Sequence, residues 1–381
     1  MKKILTQMIA MLVATFWGFS VLAEQGSDLA EELTLNCDAG FRQFTTVFPY
    51  SDFNGIVYGV SFGAEVTCLY SVDSYCIVDS QWNIVSRVKI DHPHIKDEAA
   101  YINKVVYDKN EGVFHLLVFD HLTRQSYVVL QAGTDKPQYR SVINKEIHSF
   151  DIINNDYIFA GLDETLHPWI GCFTKTGDTI WEQQQSTDFF YHYCAFYDEE
   201  LYFVSSCVSK AIVRLEKLSA DGEKMICNEY SLSNLPLSSN SSTFDISQVD
   251  ISKHGITIFG QIIDGSGSRG SIVKIDENYD LIELQTLDNY RSIQGVARIG
   301  NSYLMLVIAA KDSNMLNRRY VISDDLSSVV PLESQDSQID SLGLSTDFEG
   351  HLYLFGAVYP SDMPTEPSTF ISEITPSEWK F

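Results

Sequence analysis

Seven stretches of 7–10 residues are apolar at nearly every position and rich in β-branched and aromatic side chains. They begin at Gly55 (GIVYGVSF), Gly112 (GVFHLLVFD), Asp156 (DYIFAGLD), Glu200 (ELYFVSSC), Gly255 (GITIFGQIID), Ser302 (SYLMLVIAA) and His351 (HLYLFGAVY), at intervals of 57, 44, 44, 55, 47 and 49 residues. A strand with one wet face alternates apolar with polar positions, so a run without alternation predicts a strand buried on both faces. Ahead of each run lies another extended segment that ends in a polar turn, as in Val105–Gly112 and Val296–Ser302. Two further strands follow it. Their polar turn is plain in five units: Asp79–Asn83, Thr174–Asp178, Ser219–Glu223, Asp276–Asp280 and Ser323–Ser327. Asp, Asn and Gly between extended segments predict antiparallel hairpins.

The resulting order is strand, turn, buried strand, loop, strand, turn, strand, seven times over. It predicts an all-β chain folded as a seven-bladed β-propeller of four-stranded antiparallel blades. The blades fall at about residues 41–91, 101–143, 147–185, 189–232, 244–287, 290–333 and 339–381. Two stacked β-sandwiches would also give many short strands, but they do not require one four-strand module to recur. After residue 35 no window of about twelve residues keeps a 3.6-residue period, which argues against helices. An open array would leave edge strands exposed, so the ends are expected to meet. The expected clasp sets Leu33–Cys37 beside the last unit, which ends at Glu378–Phe381.

The first 23 residues read as an export address. Lys2 and Lys3 precede an apolar stretch from Met8 to Leu22, and Val21 and Ala23 suit a cut before Glu24. Roughly 15 apolar residues fall short of the about 20 that span a bilayer. A lipid anchor needs a Cys close behind the apolar stretch, and Cys37 lies too far along. The remaining residues, 24–381, are expected to form one propeller domain with no membrane span, secreted or periplasmic.

The chain has 381 residues, with 51 acids against 26 bases and a net charge of −25. Removing the leader takes away two lysines and no acid, which leaves −27. A surface so acidic repels phosphate backbones and anionic lipid heads, so no nucleic-acid partner is expected. Seven cysteines entering an oxidising compartment leave at least one outside any intrachain pair. Cys68 and Cys76 are the preferred disulfide, since they can face each other across a hairpin with Val72 near its tip.

The pattern resembles the exported bacterial β-propellers with PQQ-type or YVTN-type repeats. In the PQQ-type repeat the third strand runs into an Asp/Gly turn and then an apolar pair ending in Trp, as in Thr176-Gly177-Asp178-Thr179-Ile180-Trp181. Elsewhere the Trp position holds Val85, Ile226 or Leu284. The resemblance implies fold and export. Members without repeated Trp docking and without quinone-site residues are usually binding or scaffolding proteins.

No catalytic constellation assembles from local motifs. Gly265–Gly270 spells G-x-G-x-x-G, but it joins two strands where a dinucleotide site needs a helix. Asp91-His92-Pro93-His94, with Asp97 and Glu98, offers ligand types without a recognisable third spacing, and a solvated loop is the simpler reading. Asp276, Asn278 and Asp280 alternate as calcium ligands do, without the central Gly and terminal Glu of an EF-hand. Asn240-Ser241-Ser242 spells a glycosylation acceptor for a eukaryotic host. The run Asp188–Tyr197 (DFFYHYCAFY) reads first as the first strand of the fourth unit and its packing, and second as aromatics that stack on a sugar or peptide ring. The expectation is therefore a monomeric, non-enzymatic binding module for an unknown protein, small molecule or glycan, with no cofactor, no metal and no catalytic residue assigned. The alternative is a hydrolase, lyase or lactonase whose site is gathered from separate blades.

Overall fold

The computed structural model describes residues 45–49, 57–90, 100–120, 122–131, 137–185, 187–232, 242–265, 267–309, 319–326, 329–331, 337–360 and 368–374. Its strands form seven four-stranded antiparallel sheets, and the chain is an all-β, seven-bladed β-propeller. The first blade holds β2 (Gly59–Phe62), β3 (Val66–Tyr70), β4 (Ser74–Asp79) and β5 (Ile84–Lys89). The second holds β6 (Tyr101–Asp108), β7 (Val113–Asp120), β8 (Gln125–Gln131) and β9 (Gln138–Ile143). The third runs through β10 (Glu146–Ile153), β11 (Asp156–Leu162), β12 (Pro168–Thr174) and β13 (Thr179–Gln184). The fourth comprises β14 (Phe189–Tyr197), β15 (Glu200–Cys207), β16 (Ile212–Leu218) and β17 (Lys224–Ser231). β18 (Thr243–Ser252), β19 (Gly255–Asp264), β20 (Gly267–Ile275) and β21 (Leu281–Leu287) make the fifth, and β22 (Tyr290–Ile299), β23 (Ser302–Ala309), β24 (Arg319–Ser323) and β25 (Val329–Pro331) the sixth. The seventh joins β26 (Ser337–Thr346), β27 (Leu352–Pro360) and β28 (Ser368–Ile374) to β1 (Thr45–Pro49).

Two details differ from the sequence reading. The strand beside β28 is Thr45–Pro49, paired Thr45 to Ser372 through Pro49 to Ser368, so this segment takes the place beside the last unit where Leu33–Cys37 was expected. Leu33–Cys37, the leader, Asp91–Glu98 and Asn240-Ser241 lie outside the described residues. In the first blade the run GIVYGVSF supplies the innermost strand, and β3 takes the second place. Both strands are apolar, which is why the pattern alone misassigned them. Placed on β3, the first interval runs from Val66 to Val113, 47 residues, within the range of the others.

The chain divides into two compact units, Asp91–Ile293 and the two end segments Met1–Ile90 with Gln294–Phe381. In the end-segment unit, β2–β5 pack on the seventh blade. Val57, Leu69, Cys76, Val78 and Trp82 meet Tyr353, Phe355 and Ile371.

In the Asp91–Ile293 unit the core lies between successive blades. On β15, Leu201 and Phe203 join the cluster shared with the third blade, whereas Tyr202 and Val204 join the one shared with the fifth. On β11, Ile158 and Ala160 face the fourth blade, and Tyr157 and Phe159 face the second. Period-two side chains on a strand covered on both sides explain the unbroken apolar runs. Each such Leu, Val or Phe contributes about 1.5–3 kcal/mol by leaving water.

The third and fourth strands of several blades share one five-residue turn. Its first residue accepts the N–H of its fourth and donates to its fifth, as in Asp79–Asn83, Thr174–Asp178, Ser219–Glu223 and Asp276–Asp280. Its fourth residue is left-handed: Trp82, Gly177, Gly222, Tyr279 and, at Ser323–Ser327, Leu326. This is a type I turn with a residue in the αL region that opens a bulge. The side chain at the first position reinforces it. Asp276 Oδ1 accepts N–H groups from Asn278 and Asp280 at 2.9 and 2.8 Å, which accounts for its low carboxyl pKa; these acids shape a turn.

Candidate functional site

The four innermost strands of the Asp91–Ile293 unit share a register shift. It falls between Ile102 and Lys104 on β6, Ile147 and Ser149 on β10, Tyr191 and Tyr193 on β14, and Ile246 and Gln248 on β18. A bulge inserts one unpaired residue and re-aims its side chain. The inserted residues are Asn103, His148, His192 and Ser247. Asn103 donates from Nδ2 to Ile147 O at 3.0 Å, tying the second blade to the third, and Ser247 Oγ donates to Phe259 O at 3.1 Å.

The two histidines meet around Phe190. The His148 ring stacks on Phe190 with centroids 4.5 Å apart, and Phe190 meets the edge of His192 at 4.9 Å. His148 Nε2 lies 3.1 Å from Glu146 Oε1, and since a carboxylate only accepts, Nε2 donates. His148 Nδ1 is buried and makes no hydrogen bond in the structure. His192 Nε2 is paired with Ser206 Oγ at 2.8 Å. Burial pushes His192 down to about 4; His148 adds to the shift, while Asp245 opposes it. His192 is thus a neutral imidazole at pH 7. Asp245 itself is anchored by Gln261 Nε2 at 3.0 Å.

Glu146 links this array to a cleft of about 320 Å³ between the second and third blades. Arg124 holds the second oxygen of Glu146, and Gln125 Nε2 donates to Asn144 Oδ1 at 2.7 Å across the cleft wall. Thr123, Asp163 and Glu164 complete the lining. Burial alone would raise the Asp163 carboxyl, but hydrogen bonds from Thr165, His167 and Gln184 outweigh it and hold it below the usual range.

A second polar cluster lies at the opposite end of the blades. Asp108, Glu111 and His115 bring three metal-type ligand atoms within 4.8 Å of one another. Lys175 Nζ, from the third blade's last turn, stands 3.0 Å from Asp108 and 2.8 Å from Glu111. The position a cation would take is thus filled by the protein's own ammonium group. His115 Nδ1 shares a hydrogen bond with Tyr157 OH at 2.7 Å. This cluster is a seam between blades.

The disulfide expected between Cys68 and Cys76 is not formed, and both residues are buried. The register sets Cys68 opposite Ile77 and Cys76 opposite Leu69, one residue out of step, so alternation sends the two side chains to opposite faces. Of the Gly265–Gly270 motif, Gly267–Gly270 form the start of β20, with Gly267 paired to Asp264 and Gly270 to Gln261. Of the DFFYHYCAFY run, Phe189 lies under the Arg214 guanidinium, 3.5 Å from ring centroid, and Tyr191 is fully buried; Phe190 and His192 belong to the site. Sequence reading missed Glu146 and His148. The signal was periodic: His148 and His192 are 44 residues apart, as are the buried runs at Asp156 and Glu200.

No protein-family model matches the sequence, and no curated protein matches it. Solved structures do match. The propeller of Dos1 superposes with a TM-score of 0.55 at 10% identity, covering 86% of this chain and 94% of that one. The Pan2 WD40 domain of Neurospora crassa gives 0.53 at 11%, covering 88% and 96%. Virginiamycin B lyase from Staphylococcus aureus gives 0.51 at 10%, covering 86% and 99%. At such identities the likeness shows the fold, and it places the chain among the β-propellers.

Proposed function

We propose that this protein is an exported β-propeller, secreted or periplasmic, that acts as a non-enzymatic binding module. Its ligand sits against the innermost strands of the third and fourth blades. The observation that carries the reading is the His148–Phe190–His192 array: an aromatic platform flanked by imidazoles whose orientations are set by Glu146 and Ser206. Aromatic rings with fixed hydrogen-bonding partners suit recognition of a planar or polyhydroxylated group. A thermal-shift and calorimetry screen of sugars, aromatic acids and lactones tests it. Phe190→Ala is expected to weaken a ligand found there by about fivefold, and a ligand that binds the variant equally well refutes the placement. Export rests on the Lys2–Ala23 pattern, and an intact mass that begins at Glu24 is the result expected from cells.

One observation favours an enzyme as the second reading. Glu146 orients the His148 imidazole at 3.1 Å, the pairing a general base uses. Turnover of a lactone or ester that His148→Gln abolishes would establish a hydrolase, lyase or lactonase instead.

A further inference from the structure

The connections between second and third strands lie at the same end of the blades as the cleft, since Glu146, at the start of β10, pairs with Leu162, at the end of β11. In the Asp91–Ile293 unit each blade exposes one aliphatic side chain there. Leu122 follows β7, Leu166 follows β11, Val208 follows β15, and Ile263 stands at the end of β19, with exposures of 48%, 51%, 59% and 40%. A single exposed aliphatic residue needs no explanation, but one at the same end of each of four successive blades forms a pattern.

Leu166 is the most telling of them. Asp163–His167 is the same five-residue turn used elsewhere, with Leu166 N donating to Asp163 O and Asp163 N donating to His167 O. Leu166 occupies its left-handed position at φ 66°. Glycine takes that position at Gly177 and Gly222, and Trp82 and Tyr279 pack their rings against a neighbouring blade from it. Leu166 keeps an unfavourable backbone and leaves half its surface in water.

Charge selects the occupant. Leu122 directly precedes Thr123, and Leu166 follows Glu164 by two residues, on the rim segments of the cleft in which Glu146, Asp163 and Glu164 outnumber Arg124, and Arg124 is tied to Glu146. Asp188 and Asp245 continue the acidic character along the fourth and fifth blades; Lys210 beside Val208 and Arg269, tied to Asp264, run against it. We infer that this end of the unit docks a polypeptide segment in which a Lys or Arg entering the cleft is flanked by Leu, Ile or Val seated on Leu122 and Leu166. The inference rests on the binding-module reading and names its partner class.

The test is selection from a phage-displayed random dodecapeptide library on the immobilised full chain. Selected peptides are expected to combine Lys or Arg with aliphatic residues, to lose about tenfold in affinity to the Leu122→Ser/Leu166→Gly double variant, and to weaken with added salt. Leu166→Gly relieves a left-handed leucine, so the variant is expected to keep its thermal midpoint and loss of binding cannot be blamed on unfolding. Acidic peptides, no enrichment, or equal binding to the double variant would each overturn the inference. Binding of a small ligand that depends on Phe190 would survive that outcome, so the failure of this inference and the failure of the inner-strand site are distinguishable.

Discussion

Where the second blade meets the third, the contact at the turn end is ionic: Lys175 reaches back to Asp108 and Glu111, and His115 stands 3.8 Å from Asp108. Where the third blade meets the fourth, it is aromatic. Trp181 lies over Gly222 and donates from Nε1 to Ala220 O at 3.1 Å. Both seams use the same five-residue turn, and in both turns the left-handed position is glycine. What differs is which blade sends the side chain across. At the first seam the later blade's turn sends Lys175 to the earlier blade; at the second the earlier blade sends its tryptophan and the later turn must be bare enough to receive it. A repeated backbone therefore fixes where blades touch and leaves the chemistry of touching open. The PQQ-like Trp motif occurs once because only one of these seams is closed that way.

The ionic seam should be the more sensitive to loss of one partner. Lys175 and Asp108 are both about 5% exposed, and Lys175→Met strands the Asp108 carboxylate in the seam. Breaking a buried pair from one side costs about 3–5 kcal/mol, and urea unfolding of the variant is expected to fall in that range. A fall below about 1 kcal/mol would show that water reaches Asp108. Acid gives the same comparison a second axis. Burial pushes the Asp108 carboxyl up, but Lys175 and the N–H groups of Asn110 and Glu111 win, and it is held below its ordinary value. A depressed carboxyl contributes fully above the unfolded pKa, about 4, and the contribution disappears as pH falls through the folded value. The unfolded state is common to both proteins, so the stability gap between wild type and Lys175→Met is expected to hold at neutral pH and to narrow as acid protonates Asp108 in the variant, which loses Lys175 and so takes up its proton before the wild type does.

At the aromatic seam the vulnerable residue is the one without a side chain. A Cβ on Gly222 would stand 2.6 Å from Trp181, and its φ of 85° is left-handed. Gly222→Ala should cost about 3 kcal/mol, of which about 1–2 is backbone and the rest overpacking. Combined with Trp181→Ala, only the backbone part should remain, and the coupling is read from the double-mutant cycle. Additive losses would mean that the ring moves aside freely.

These seams show how much was legible beforehand. The blade number followed from seven apolar runs, six of them strands covered on both faces, which must be apolar throughout, and the first an innermost strand beside its equally apolar neighbour; Thr176–Trp181 announced its contact. The rest depends on register. Cys68 and Cys76 looked paired until a one-residue offset turned them apart, and β1 gave no apolar run that would mark Thr45–Pro49 as the strand that completes the seventh blade. His148 and His192 are ordinary residues in ordinary strands; bulges at matching positions make them neighbours of Phe190, and a bulge leaves no local mark in composition.

The third seam of this unit predicts the smallest effect and tests whether the comparison holds. Tyr279 fills the left-handed position at φ 66°, yet its ring lies against the fourth blade, where Tyr202 OH is 3.3 Å from Tyr279 OH and Lys217 Nζ is 5.2 Å from the ring centroid. Here the later blade's turn supplies the aromatic itself, and its carbonyl accepts from Tyr230 OH at 2.8 Å. If the ring's packing carries the seam, Tyr279→Phe removes the hydroxyl's hydrogen bonds with Tyr202 and Lys217 and costs about 0.5–1.5 kcal/mol. Tyr279→Gly relieves the backbone but empties the seam, so it should cost more than the phenylalanine despite restoring the residue the turn prefers. Chemical denaturation of the pair ranks them directly. A glycine variant as stable as wild type would mean that the turn geometry, and not the ring, joins these blades.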